Sequence, residues 1–410
     1  MQKNKLKNIY YYLFDWANSP FSTIVITFIF SSYFTNSIAD DKISGTALWG
    51  WTIALSGFFI AILSPYYGYV ADKNQSYSKR ILVISTLVVV ICSSSLWFAK
   101  ININIFVFLA VILIANSFFE VGQVFYNSQL INFRGEKGYG EFSGKAWASG
   151  YLGGIFCLIL VLALFLMPDQ SLFKLDESEY ENIRICGPIV GVWFSIFSLP
   201  FLLNCRQNNN LLNKASSIQD FFKKMKKIIK NKNILNFFIS RMLYTDGLIT
   251  LFSFGGIYAT GTFDFSFNDI IIFGILINII AALGAYLFGF IEDKIGTKKV
   301  ILVSLTFLIL NCILILLVKS KLYFWILGSL LGLFIGSIQS SSRTALIKLS
   351  DKNSINSFFG IYAMSGKATN FLGPLLVATF TSIYSSQKAG MATILIFLFL
   401  GLILFLRVRL

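Results

Sequence analysis

No histidine occurs among the 410 residues. That removes the one side chain that changes charge near neutral pH, so histidine-based acid–base chemistry is excluded and the common zinc sites lose their usual ligand. Five cysteines are present, Cys92, Cys157, Cys186, Cys205 and Cys312, and none forms a C-x-x-C pair. They read as small apolar residues rather than a disulfide framework or a metal site. Charge is scarce as well. Asp, Glu, Lys and Arg make up 13% of the chain, against roughly a quarter in a soluble domain. So few polar groups cannot cover a surface facing water, and lipid must cover it instead. A phosphate-binding G-x-x-x-x-G-K-[ST] loop is missing, so an ATP-driven mechanism within this chain has no support. Neither a cofactor nor a catalytic nucleophile is expected, and the chain does not read as an enzyme.

What is present is apolar: 56% of residues are hydrophobic and the mean hydropathy is +0.72. A bilayer core is crossed by about 20 mainly apolar helical residues. Twelve such stretches can be placed, near 9–37, 46–70, 81–99, 104–127, 144–167, 185–204, 233–260, 268–291, 299–318, 322–345, 357–384 and 389–407. Backbone polar groups in lipid must bond within their own segment, so these are helices. The first, which carries Asp15 and no small-residue cleavage site, reads as a retained helix rather than a signal peptide.

The net charge of +15 raises the question of nucleic acid, and its distribution answers it. With the N-terminus in the cytoplasm, 25 of the 34 Lys and Arg residues fall in inside segments and 7 outside, with Arg241 and Lys367 in helices. That asymmetry is the positive-inside pattern of a multi-pass protein with both termini cytoplasmic. It accounts for the charge without a nucleic-acid partner. The loop 168–184 is acidic by contrast. Between helices six and seven, Ile218, Phe221, Phe222, Met225, Ile228 and Ile229 recur at helical spacing while Lys223, Lys224, Lys226, Lys227 and Lys230 cover the rest. This predicts an amphipathic helix on the inner membrane face.

The two halves echo each other. Ser143-Gly144-Lys145-Ala146 recurs as Ser365-Gly366-Lys367-Ala368, and the loop Gly68–Arg80 as Gly289–Lys299. Leu13-Phe14-Asp15 is matched by Tyr244-Thr245-Asp246, and Gln123 by Gln339. Four matches in one order argue for duplication. Six helices return the chain to the side it started from, so the copies are parallel repeats, as in the major facilitator fold. The expected organisation is an N-terminal bundle over 1–204, a cytoplasmic linker over 205–232 and a C-terminal bundle over 233–410. The class is an all-α integral membrane protein of twelve helices.

The pattern G-x-x-x-D-K-x-G-x-K-K at Gly289–Lys299 resembles the signature loop of major facilitator transporters; the copy at Gly68–Arg80 lacks the second glycine. DWANSPF (15–21), FYNSQL (125–130), SGKAWASGYLGG (143–154), LYTDG (243–247), SSRTALI (341–347) and FFGIYAMSGKATNFLGPLL (358–376) together resemble the vacuole-effluxer-like branch of that superfamily. The resemblance implies alternating-access transport, with helices one, four, seven and ten lining the path. The branch's founding member in yeast is regarded as exporting amino acids from the vacuole. A short N-terminus and short loops fit a bacterial relative in the inner membrane.

Charge at the centre of a membrane helix costs at least about 2.5–3.5 kcal/mol on insertion scales, so intramembrane charges mark candidate sites. Asp15 and Asn18 share a face in helix one. Glu120 and Gln123 lie one turn apart in helix four, near Tyr126 and Asn127. Glu120 reads as a buried candidate for a protonatable group. Asp15 with Lys145, and Asp246 with Lys367, are candidate repeat-related ion pairs, either fixing helix register or acting as a gate or proton-coupling site. Arg241 could hold a carboxylate substrate or neutralise Asp246, and Asn370 joins the pathway set. The repeated loops supply gating candidates: Gly68, Asp72 and Arg80, and Gly289, Asp293 and Lys298. Rows of small residues, such as Gly328, Gly332 and Gly336, read as close packing. The expected function is secondary transport of a small solute across a bilayer, favouring amino acids or similar polar metabolites, with protons as the coupling ion to consider. Alternatives are a sugar or drug-like cation as solute, or a non-transporting receptor or scaffold.

Overall fold

The computed structural model describes residues 2–133, 135, 138–167, 175–205 and 217–410. Arg134, Lys137, Lys174, Arg206 and Lys214 of the basic count, and Asp169 of the acidic loop, lie outside the described residues.

Among the described residues, ten helices are long and apolar enough to cross a membrane. They are α1 (Lys5–Ile38), α2 (Lys42–Lys73), α3 (Ser76–Phe98), α4 (Ile105–Asn132), α5 (Tyr139–Leu166), α6 (Glu181–Asn204), α9 (Asp269–Ile295), α10 (Thr297–Leu317), α11 (Lys321–Leu349) and α14 (Gln387–Leu406). Two further crossings complete twelve. Helix α8 (Lys232–Phe263) has 32 residues, ample length for a bilayer, but carries polar residues along its course. The other crossing is split into α12 (Ile355–Ser365) and α13 (Leu372–Tyr384). The remaining helix, α7 (Ile218–Lys230), is the amphipathic one. Its Phe222 and Ile229 stay exposed while Ile228 is buried.

The split corrects the single helix expected over 357–384. The α-helical ladder stops at Ser365, where the amide of Lys367 turns back to the Met364 carbonyl at 3.0 Å. At the far side, the Leu372 amide bonds the Thr369 carbonyl at 2.8 Å. Both are tight i to i−3 turns. The sequence supplies the cause. Pro374 has no N–H for the carbonyl four residues before it and suits the first turn of a helix, and Gly366 weakens the helix that precedes it.

Contacts divide the chain into two units, one of Met1–Leu63, Gln75–Gln129 and Ser149–Leu211, the other of Ser64–Asn74, Leu130–Ala148 and Leu212–Leu410. In the first, α1 packs on α6, and α3 packs on α4 and α6. In the second, α8 packs on α14, and α10 packs on α11 and α14. The same pairing of first with last, third with fourth and third with last helix recurs, which is the internal repeat expressed as packing. Glycines set the closest crossings. A Cβ on Gly284 of α9 would lie 2.0 Å from the Leu333 carbonyl, and one on Gly336 of α11 would lie 2.0 Å from the Ala281 carbonyl. Two helices at that separation gain backbone dispersion contacts that larger residues would forbid.

Candidate functional site

The second unit gathers the repeated loops with the starts of two helices. Asp72 ends α2, and its carboxylate accepts the amides of Asn356 at 2.9 Å and Ser357 at 3.0 Å, together with the Ser357 hydroxyl. It therefore caps the N-terminus of α12. Lys224 of α7 adds an ion pair to the same carboxylate at 2.8 Å. Asp293, at the end of α9, accepts the amides of Gly140 and Glu141 at 2.9 Å each and caps α5. A carboxylate at a helix start satisfies orphan amides and sits at the positive end of the helix dipole. The motif glycines explain how the capped helix gets close enough. A Cβ on Gly68 would come 2.3 Å from the Asn356 carbonyl, and one on Gly289 would come 2.7 Å from the Gly140 carbonyl. The duplicated loop is thus a duplicated helix cap.

Beside this pair lies a buried arginine that the sequence did not single out. Arg343 Nε donates to the Ser143 hydroxyl at 3.0 Å and Nη2 to the Ser143 carbonyl at 2.9 Å. Its guanidinium also lies 5.7 Å from the Trp147 ring, and the residue is almost fully buried. Ser143 in turn donates to the Ser340 carbonyl at 2.8 Å. Glu292 was missed as well. It is buried and accepts the hydroxyls of Ser341 at 2.6 Å and Thr297 at 2.7 Å. Neither stands out in the sequence: Glu292 lies within the repeated loop and Arg343 near the end of an apolar run. The one available signal was the SSRTALI segment, which contains Arg343 itself and Ser341, one of the two hydroxyls on Glu292.

Two gating candidates do other work. Arg80 is exposed and rests over the Tyr77 ring at 5.9 Å. Lys298 donates to the Leu406 carbonyl at 2.8 Å, at the end of α14. Lys79 does the equivalent in the first unit, reaching the Leu203 and Cys205 carbonyls at the end of α6 at 3.5 and 3.4 Å. These cations complement helix C-termini rather than loops.

Within the membrane helices of the first unit, Asn18 lies 3.5 Å from Asp15 Oδ1, so the two do share a face. Both are buried. Glu120 is only half-buried, as are Gln123 and Asn127; a turn of α4 leaves the carboxyl short of the core position expected for it. Gln123 lines a small cavity with Phe14, Ser85, Thr86, Phe119 and Gly122. Tyr126 is packing: its ring stacks on Tyr11 and Phe14 at 4.4 and 4.6 Å, and its hydroxyl donates to the Tyr11 carbonyl.

The second unit separates the charges that were expected to pair. Both carboxylate oxygens of Asp246 are buried without a hydrogen-bond partner. Lys367 falls in the break after α12, where helical spacing no longer sets its direction, and no ion pair joins it to Asp246. Arg241 does not neutralise Asp246 either. Its Nη1 donates to the Tyr362 carbonyl at 2.5 Å and the Ser365 hydroxyl at 2.8 Å, and the guanidinium lies 3.3 Å over the Tyr362 ring. It ties off the end of α12. Lys145 pairs with Glu141 one turn earlier on α5. Asn370 is half-buried, and its Oδ1 is buried without a partner.

This architecture can be compared with known proteins. The family model described as vacuole effluxer Atg22 like matches residues 136–410, well over half of the chain. The chain belongs to that family. An uncharacterized MFS-type transporter of Bacillus subtilis, YxiO, is 25% identical over 405 residues, covering 96% of this chain and 92% of that one. Autophagy-related protein 22 of Kluyveromyces lactis is 23% identical over 393 residues, covering 85% and 76%. Among solved structures, the human organic anion transporter MFSD10 matches with a TM-score of 0.79 at 12% identity, covering 98% of this chain and 99% of that one. The Escherichia coli fucose:proton symporter FucP matches with a TM-score of 0.76 at 13% identity, covering 100% and 99%. At such identities the structures establish the major facilitator fold. This Atg22-like protein is therefore a multi-pass membrane transporter of that superfamily and not an enzyme.

Proposed function

We propose that this Atg22-like chain is a secondary active transporter that moves amino acids or similar polar metabolites by alternating access, from a bacterial inner membrane with both termini in the cytoplasm. The observation that carries the reading is the pair of carboxylate caps, Asp72 on the start of α12 and Asp293 on the start of α5. Alternating access needs a closure that forms and breaks at little net cost. Charge–dipole caps supply that scale, at about 0.3–1 kcal/mol each when exposed and up to ~2 kcal/mol when partly buried. Two caps together are worth a few kcal/mol, enough to shift a population between states without locking it. The S-G-K-A segments are placed differently: Ser143–Ala146 follows the capped start of α5, whereas Ser365–Ala368 begins at the far end of α12.

In the first unit, Asp15 with Asn18 and Glu120 with Gln123 and Asn127 are the polar groups assigned to a zwitterionic or polar solute; in the second unit, Lys367 and Asn370 are. Glu120, a half-buried carboxyl within a membrane helix, is the proposed proton-coupling group. Counterflow in proteoliposomes against a panel of amino acids, sugars and organic cations tests the substrate class. Exchange of amino acids that persists in Glu120→Gln, together with loss of uptake driven by a proton gradient in that variant, is the expected result. Exchange of sugars or cations alone would move the assignment to another solute.

A further inference from the structure

Asp246 is the least compensated charge among the described residues. It sits in α8 with about 1% of its surface exposed, yet neither carboxylate oxygen completes a well-formed hydrogen bond. The Thr369 hydroxyl faces the carboxyl without reaching full hydrogen-bond geometry, and Asn370 Oδ1, one residue further along the same break, is buried without a partner. Both belong to the six-residue break between α12 and α13. Pro374, in the first turn of α13, cannot donate to the Asn370 carbonyl, which adds one more oxygen without its helical amide. Meanwhile Arg241, the nearest cation along α8, is spent on Tyr362 and Ser365. Backbone is already close here: the Asp246 carbonyl accepts from Thr250 at 2.6 Å, and Gly373 of α13 leaves only 3.3 Å between that carbonyl and a Cβ placed on it.

A buried carboxylate without a partner is too costly to persist bare. Orphaned oxygens from a carboxylate, a hydroxyl and an amide, set at a broken membrane helix, are the ligand chemistry of a hard cation. One carboxylate matches one positive charge. No group of three or more His, Cys, Asp or Glu suited to a divalent metal occurs among the described residues. A proton on Asp246 would satisfy one oxygen and leave the others orphaned. We propose that Asp246, Thr369 and Asn370 form a sodium-ion site at the α12–α13 break. The ion would tie α8 to both halves of the broken helix. This goes beyond the transport reading, because the site would bind sodium whatever the solute is.

The test is thermal unfolding of the purified full chain, followed by tryptophan fluorescence, in sodium chloride against choline chloride at constant total salt. The melting temperature should rise with sodium, saturate, and stay flat in choline. Asp246→Asn should abolish the rise while melting in choline no lower than the parent, since it removes an unpaired buried charge. Thr369→Val should weaken the apparent sodium affinity by about tenfold, one lost ligand's worth. Equal stabilisation by both salts, a sodium response that survives Asp246→Asn, or a response that follows pH and ignores sodium would each overturn the proposal. No solute enters the experiment, so a failure here and a failure of the amino-acid assignment are read separately.

Discussion

A single methyl group tests the loop motif most directly. Gly68→Ala places a Cβ 2.3 Å from the Asn356 carbonyl, so either α12 retreats from Asp72 or the helices part. Overpacking of this kind costs about 1–3 kcal/mol, read as a lower melting temperature in detergent. Gly255→Ala, where nothing lies within 4 Å, should leave the melting temperature unchanged or raise it slightly. Arg343→Lys tests the buried guanidinium. An ammonium is a point charge and cannot reproduce two directed bonds to Ser143. We expect a loss of about 1–3 kcal/mol in the same assay, the usual penalty for a buried acceptor left unpaired. At this scale the sequence was a good guide to identity and a poor guide to partnership. Asp72 and Asp293 could be picked out because a repeat marked them. Arg343 and Glu292 could not, because a charge at the edge of an apolar run looks the same whether it faces water or a serine from another helix.

Two elements depart from a plain membrane helix, and each has its own consequence. Helix α7 buries Ile228 and leaves Phe222 and Ile229 exposed beside a lysine face. Lys224 on that face holds Asp72, and Lys73 reaches back to Asp220 at 3.4 Å. A nitroxide at position 222 should therefore be quenched by lipid-soluble oxygen and one at position 226 by an aqueous nickel complex, as a helix lying in the interface requires. Equal quenching of both by nickel would refute that placement. The amphipathic period of α7 was legible in the sequence, since five lysines and six apolar residues alternate at helical spacing. The break between α12 and α13 was not. Hydropathy averages over the very residues that interrupt the ladder, so Gly366 and Pro374 disappear into an apolar mean.

Across the whole molecule the prediction concerns how the two caps combine. Asp72 and Asp293 serve different helices and share no partner, so their contributions should add to within about 0.5 kcal/mol. In a cysteine-free background, a cysteine at Ala148 should react faster with an impermeant maleimide in Asp72→Ala and in Asp293→Ala. The double variant should show roughly the product of the two accelerations. An increase no larger than either single variant would mean that one cap alone governs the closure. Composition and hydropathy by themselves determined that the chain lives in lipid and how many times it crosses, and four matched segments marked it as a repeat. The first two properties are sums over many residues, and lipid penalises every exception. Which carboxylate caps which helix, which arginine is buried, and why Asp246 is left without a cation were decided only by the tertiary structure. Each depends on a contact between residues hundreds of positions apart or on a local failure of the helix, and neither is written in the average character of a segment.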